Sequence, residues 1–190
     1  SLLIYVYVKE ETSYDRHHAD GERIFRVNTF LEMEGKVDNT AKSGLNTGEV
    51  LMESNREVES YTQFLNVAKQ TIRIDDNLYA SEQVIYADSN AFSFFTWDII
   101  KGNPGECLIG PNKAVIAKSV AEAWFGSTGE AFGNTMEINK QNFQVTAVYN
   151  DRTYQTHIPH KVFLSLSSLP TDFLQIRNRE YMWITSYNYI

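Results

Sequence analysis

Residues 113–151 read KAVIAKSVAEAWFGSTGEAFGNTMEINKQNFQVTAVYND, and they carry the signals of a strand and a helix without conflict between them. The apolar run 114–117 predicts a short strand. Ser119, with Glu122 three residues later, has the spacing of a capping box and predicts the start of a helix. Gly126 then stands where a left-handed residue ends a helix. We therefore expect a strand that leads directly into a short helix.

Two further strands are predicted behind this helix. Residues 136–139 and 143–149 flank a polar hairpin at 140–142, and alternate apolar residues give the second run one dry face. The whole stretch thus predicts a βαββ unit. It contains no nucleophile beside a base, no phosphate-binding glycine loop and no metal-ligand spacing. By itself it predicts a scaffold, with no catalytic residue, cofactor-binding residue or metal ligand.

The composition describes an ordinary globular protein with an acidic balance. Of 190 residues, 43% are hydrophobic, and 24 acidic residues against 17 basic ones give a net charge of −7. This balance argues against nucleic acid as a partner, because nucleic-acid binding needs a basic face that neutralises phosphates. The 11 Tyr and 11 Phe residues predict cores filled with large rings. Cys107 is the single cysteine, so no intrachain disulfide can form.

Both ends of the chain predict a fragment of a larger protein. Residues 2–8, LLIYVYV, are apolar without alternation, and they fit either a buried strand or the last two turns of a transmembrane helix. Residues 182–190 form an aromatic, β-prone run without a polar tail. Natural termini are seldom of this kind.

Between the ends, the pattern predicts strands that alternate with short helices. We expect a loop from residue 33 onwards that leads to a helix starting near Thr47, and a short helix at 90–95 capped by Asp88 or Ser89. One apolar face is expected on the strand at 162–169. The predicted strands are 24–32, 56–66 with 71–74, 82–87, 162–169 and 183–190.

One aromatic cluster is a candidate for function. Its rings are crowded into residues 92–97, and such a cluster serves either as core packing or as a ligand or partner surface. The candidate surface residues are Phe92, Phe94, Phe95 and Trp97.

Histidines are the remaining candidates for chemistry. His17 and His18 are adjacent, so they point to different sides of a helix. His157 and His160 are separated by a proline that prevents a helical arrangement, and no third ligand is near them in sequence. No metal site is therefore predicted. A secreted hydrolase is disfavoured as well, because no nucleophile elbow accompanies the Ser, His and Asp residues.

Several short motifs, taken together in their order and spacing, resemble the MacB-like periplasmic core domain. This is the large extracytoplasmic domain of ABC-type exporter permeases that also have an FtsX-like membrane part. The resemblance covers nearly the whole chain. The motifs are SYD at 13–15, His18, RIFRV at 23–27, REVES at 56–60, YADSNAFSFF at 86–95, WFG at 124–126, FGNTMEIN at 132–139 and FQVTAVYND at 143–151.

The resemblance implies a fold and a division of the chain. The implied fold is α+β, a mixed α/β architecture with two subdomains. A discontinuous porter-like piece would comprise residues 9–76 and 161–190, and a small α/β piece inserted into it would comprise residues 77–160. Residues 1–8 would be the end of a truncated transmembrane helix, which resolves the ambiguity of LLIYVYV in favour of the membrane.

The resemblance also implies a function and a setting. The domain would lie at the periplasmic face of the inner (cell) membrane, anchored by transmembrane helices outside this chain. It would have no catalytic activity and no cofactor, and it would couple conformational change in the membrane part to export or to partner contact. The implied partners are its own transmembrane helices, a cytoplasmic ATPase subunit or domain, a second permease copy and periplasmic partner proteins.

A different function is compatible with the same residues. The domain could be an extracytoplasmic ligand-binding module for a peptide, a lipid or a small hydrophobic molecule. The aromatic cluster at 92–97 or the Tyr-rich C-terminal strand would then provide the binding surface.

Overall fold

The computed structural model describes residues 18–33, 35–81, 83–152, 156–173 and 186–190. The α-helices are α1 Thr47–Ser54, α2 Ala91–Phe94, α3 Lys118–Phe125 and α4 Thr128–Ala131, and residues 171–173 are also helical. The strands are β1 Thr29–Met33, β2 Lys36–Thr40, β3 Thr62–Asn66, β4 Gln70–Ile74, β5 Asn77–Ser81, β6 Val84–Ala87, β7 Ile99–Lys101, β8 Lys113–Ala117, β9 Thr135–Ile138, β10 Gln141–Tyr149, β11 Val162–Ser165 and β12 Ser186–Tyr189.

Ten of these strands form one mixed sheet. Nine lie side by side in the order β12-β3-β6-β11-β8-β10-β9-β4-β5, and β7 pairs with the end of β10. The pairs β6 with β11 and β8 with β10 are parallel, whereas the other neighbours are antiparallel. The strands β1 and β2 form a separate antiparallel hairpin. The mixed α and β fold class is thereby confirmed.

The βαββ unit is confirmed as β8, α3, β9 and β10. Gly126 ends α3 with a φ of 85°, and its N–H donates to the carbonyl of Glu122. The predicted capping box is wrong, because α3 begins at Lys118 and no side chain caps it from the N-cap position. The Ser119 hydroxyl instead donates to Asp151, which follows β10. A carboxylate from the neighbouring strand therefore replaces the local cap.

Three strand predictions need correction. The strand expected at 56–66 begins only at Thr62, and 71–74 belongs to the separate strand β4. The strand expected at 24–32 begins only at Thr29, because residues 25–27 pair with the end of β12 instead. The strand expected at 162–169 ends at Ser165 and continues as a 3-10 turn over Leu166–Ser168. Its predicted apolar face is wrong too, since all of β11 is buried in the middle of the sheet.

Side-chain caps were also expected on α2, and they are absent. Neither Asp88 nor Ser89 is its N-cap; Asn90 occupies that position without a side-chain hydrogen bond to the helix. The backbone carbonyl of Asp88 accepts from the N–H of Ala91 instead. The helix expected near Thr47 is confirmed as α1.

Strands from both predicted subdomains meet in the one sheet. On the porter-like side, β3 pairs with β6, β4 pairs with β5 and β9, and β11 pairs with β6 and β8. The boundaries at residues 77 and 160 stay a prediction.

Residues 1–17, which include the predicted membrane segment and His17, lie outside the described residues. Within the described part of the chain, no helix has the length and apolarity needed to cross a membrane.

Candidate functional site

The aromatic segment at 92–97 overlaps α2. Its first and last rings, those of Phe92 and Trp97, pack into the core. Phe92 is 2% exposed, and its ring lies 5.1 Å from that of Phe163 on β11 and 6.2 Å from that of Tyr149 on β10. Trp97 is half-buried and covers the same site, with its ring 5.0 Å from Phe92 and 5.1 Å from Tyr149. These packing contacts hold α2 against the central strands of the sheet.

Phe95 makes the corresponding contact with the edge of the sheet. It is 4% exposed, and its ring lies 5.9 Å from Phe64 on β3 and 5.1 Å from Tyr189 on β12. His18 lies 4.9 Å from Phe95, and its Nδ1 accepts a hydrogen bond of 3.1 Å from the N–H of Thr96. The segment therefore joins strands from both predicted pieces of the chain.

Phe94 is the member of the predicted aromatic surface that lines a large cleft. The cleft has a volume of about 630 Å³, and we name it the Phe94 cleft. Its apolar side chains are Ile24, Phe25, Val58, Phe94 and Ile190, and its carboxylates are Asp20, Glu22, Glu57 and Glu59. The prediction that the aromatic segment forms a ligand or partner surface stays a prediction.

Three segments build the Phe94 cleft. A 3-10 turn, Gly21–Arg23, leads into residues 24–27, which run beside β12. The loop after α1 provides the second wall, and Arg23 ties it to the turn by an ion pair of 2.7 Å with Glu59. The segment around α2 provides the third, and Asn90 Nδ2 donates a hydrogen bond of 2.8 Å to the carbonyl of Tyr61.

The three histidines that the structure describes line two smaller pockets beside the cleft. These pockets have volumes of about 260 and 300 Å³, and they share Arg26, His157 and Tyr189. His18 lines the first and His160 the second. Burial lowers the pKa of His160. No group of three metal-ligating side chains occurs within the described ranges.

A serine, a lysine and an aspartate meet at the start of α3, but their geometry is that of a structural cap. The Ser119 hydroxyl donates to Asp151 and accepts from Lys161 Nζ at 3.3 Å. Burial raises the pKa of Asp151, but the hydrogen bonds from Ser119 and the charge of Lys161 outweigh it and leave that pKa below its ordinary value. The carboxylate is therefore an anion that holds Ser119 at the start of α3.

Apart from Phe94, the cleft residues were not predicted as a site from the sequence. Asp20 and Glu22 are about 35 positions away from Glu57 and Glu59, and only the tertiary pairing of residues 24–27 with β12 brings them together. The motifs RIFRV at 23–27 and REVES at 56–60 contain cleft residues, but both motifs indicated the family rather than a cleft.

Solved structures share this fold. A domain from a Porphyromonas gingivalis protein described as a permease matches with a TM-score of 0.71 at 15% identity, over 88% of this chain and 73% of that one. The periplasmic region of MacB from Actinobacillus actinomycetemcomitans matches with a TM-score of 0.56 at 14% identity, over 87% and 72%. Comparison with curated protein sequences gives no match.

The family is shown by the sequence itself. The model of the MacB-like periplasmic core domain matches residues 2–187, which is almost the entire chain. The two structural likenesses support the same fold independently. The chain belongs to the MacB-like periplasmic core domain family.

Proposed function

We propose that the chain is the extracytoplasmic domain of an ABC transporter permease and that it carries conformational change between the membrane part and export or partner contact. In this proposal it lies at the periplasmic face of the cell membrane and catalyses no reaction. Transmembrane helices precede and follow it, with residues 1–8 as the end of the first, and a cytoplasmic ATPase supplies the energy.

The observation that carries the proposal is the pairing of an N-terminal segment, residues 25–27, with the C-terminal end of the described fold. The N–H of Phe25 donates to the carbonyl of Ile190 at 2.8 Å, and the N–H of Ile190 donates back at 2.9 Å. Phe25 and Ile190 therefore lie side by side at one edge of the sheet. Two membrane helices attached there would act on the same edge, which is the geometry of a hinge.

The body attached to this edge has the continuous sheet and the packed core of a rigid unit. Its sheet is continuous from β12 to β5, and the rings of Phe92 and Phe95 pack across it from one side. Close-packed cores deform little and transmit displacement. The proposed division into a porter-like piece, 9–76 with 161–190, and an inserted piece, 77–160, then describes two parts that move together.

The proposal is tested by distances between spin labels in the full permease with its ATPase. Cysteines replace the exposed Glu53 of α1 and Glu130 of α4, one in each predicted subdomain. Cys107 stays unlabelled, because it is 3% exposed and burial raises its pKa to about 11. We expect ATP to change the distance between the two Glu130→Cys labels of neighbouring copies and to leave the Glu53–Glu130 distance within one domain unchanged.

The control is the same labelled permease with an ATPase that cannot bind ATP, for which neither distance should change. An ATP-independent distance between copies would contradict the coupling role. So would a change of equal size within the domain, since the body would then not move as a unit.

A second candidate function is a ligand-binding module, and the Phe94 cleft favours it. The volume of this cleft falls within the range of roughly 300–1,000 Å³ typical of ligand sites. A bound ligand and a coupling role are compatible in one domain.

A further inference from the structure

We propose that the Phe94 cleft binds a short basic peptide segment of a partner protein, one in which lysine or arginine flanks an apolar side chain. The inference goes beyond the coupling role, and it can be tested on the chain itself. Its failure would leave the proposed function standing.

The apolar part of the cleft is complementary to an apolar side chain in the ligand. Phe25 is 62% exposed, and its ring lies in the cleft with Ile24, Val58 and Phe94. An aromatic ring left this open, among apolar neighbours and within a polar rim, is the arrangement of an interaction site. Aromatic anchors of this kind contribute most of the affinity in protein interfaces.

The rim determines the charge of the ligand. Four carboxylates and one guanidinium line the cleft, so its formal charge is 4 negative less 1 positive, or −3. Complementary potentials steer partners and suppress wrong ones. Phosphate-bearing lipid headgroups and nucleic acids are repelled by this rim, whereas a basic peptide is attracted.

The chain itself shows how the rim holds a cation. The guanidinium of Arg23 lies 2.7 Å from Glu59, although their side chains are 65% and 73% exposed. Exposed pairs of this kind are weak individually, so the cleft needs several of them together with its apolar floor. A peptide with a basic and an apolar side chain can contact the carboxylate rim and the apolar floor at the same time.

Binding is measured by fluorescence anisotropy of a fluorescein-labelled peptide of alternating lysine and leucine, capped at both ends, at 0.15 M salt. Two variants neutralise three carboxylates each. The cleft variant carries Asp20→Asn, Glu22→Gln and Glu57→Gln. The matched control carries Asp38→Asn, Asp76→Asn and Glu106→Gln, at exposed positions outside the cleft.

We expect saturable binding that weakens about tenfold in the cleft variant and less than twofold in the control, since three individually weak charge pairs are lost together only in the cleft variant. Phe25→Ser should weaken binding more than Phe30→Ser, because Phe30 is 70% exposed and lies outside the cleft. Far-ultraviolet circular dichroism establishes that each variant is folded.

Three results with the peptides would overturn the inference. One is the absence of saturable binding, and another is an equal loss of affinity in the two triple variants. The third is equal binding of a peptide in which glutamate replaces lysine or serine replaces leucine. Vesicles of phosphatidylglycerol provide the last comparison: if they bind the chain and the cleft variant abolishes that binding, the ligand is a lipid and the peptide assignment is wrong.

Discussion

The hydroxyl of Ser119 donates a hydrogen bond of 2.5 Å to Asp151 Oδ2, and the N–H of Ser119 donates one of 3.1 Å to Oδ1 of the same carboxylate. Lys161 Nζ lies 3.6 Å from Oδ2. The first N–H groups of a helix have no partner within the helix, so Asp151 serves as the cap of α3 from 32 residues away. The cap fixes α3 against the end of β10.

Removing the hydroxyl should weaken this cap. Ser119→Ala is expected to lower the free energy of unfolding by about 1 kcal/mol, the usual net contribution of one hydrogen bond, as measured by urea denaturation at pH 7. Ser54→Ala is the matched control, because the hydroxyl of Ser54 is exposed and bonds only within its own helix. A loss in the control as large as in Ser119→Ala would contradict the capping role.

The lowered pKa of Asp151 predicts that the stability of the fold decreases in acid. The folded-state pKa of Asp151 is lowered, so its contribution to stability is complete above the ordinary carboxyl pKa and is lost as the pH falls through the lower folded value. Unfolding measured from pH 5 downwards should therefore show a smaller acid-dependent loss in Asp151→Asn than in the unmodified chain. An unchanged profile would show that Asp151 does not contribute to acid sensitivity.

The contribution of Asp88 to stability should change with pH in the opposite direction. Burial raises the pKa of Asp88 to about 6, against hydrogen bonds from Gln63 that lower it. The stability linked to its neutral form is complete below the ordinary pKa near 4 and is lost as the pH rises through about 6. At pH 7 the buried charge is therefore unfavourable.

Asp88→Asn tests this directly. The variant should be more stable than the unmodified chain at pH 7 by about 1–3 kcal/mol, since one pKa unit corresponds to about 1.4 kcal/mol. The difference should shrink as the pH falls from about 6 towards 4. Asp76→Asn, in an exposed turn, provides the control, and its effect on stability at pH 7 should stay within about 0.5 kcal/mol. Destabilisation by Asp88→Asn at pH 7 would refute the prediction.

The rings of the aromatic segment should differ in their effect on stability. Phe92→Ala is expected to cost about 3–5 kcal/mol, because it leaves a cavity between the rings of Phe163 and Tyr149. Phe30→Ala, at a side chain that is 70% exposed, should stay within about 0.5 kcal/mol. Thermal or urea unfolding separates the two. Similar losses at both positions would mean that Phe92 is not part of the core.

Two glycines with positive φ form a matched pair. Gly102 has a φ of 100°, and a Cβ there would clash with the carbonyl oxygen of Thr146, whereas at Gly110, with a φ of 80°, nothing lies within 4 Å. Gly110→Ala should cost about 1–2 kcal/mol from backbone conformation alone. Gly102→Ala should cost a further 1–3 kcal/mol, roughly the cost of overpacking. Equal urea midpoints for the two variants would contradict the close approach.

Much of the local structure was predictable because its causes are local. Gly126 ends α3 at the expected residue, since only glycine adopts a left-handed conformation there without strain. The βαββ unit followed from apolar periodicity in the same way. The strand at 162–169 was only partly predicted: it ends at Ser165, and it is buried on both faces because it lies in the middle of the sheet, which the alternation in its sequence did not show.

The sequence by itself determined the family, the mixed α and β class and the unit at 113–151, since motif order, residue propensity and periodicity depend on neighbours along the chain. Only the tertiary structure decided that Asp151 caps α3, that residues 25–27 pair with β12 and that four distant carboxylates surround Phe25. The physical reason is that hydrogen bonds and charge fields act through space, and the separation of two residues along the chain does not fix their distance.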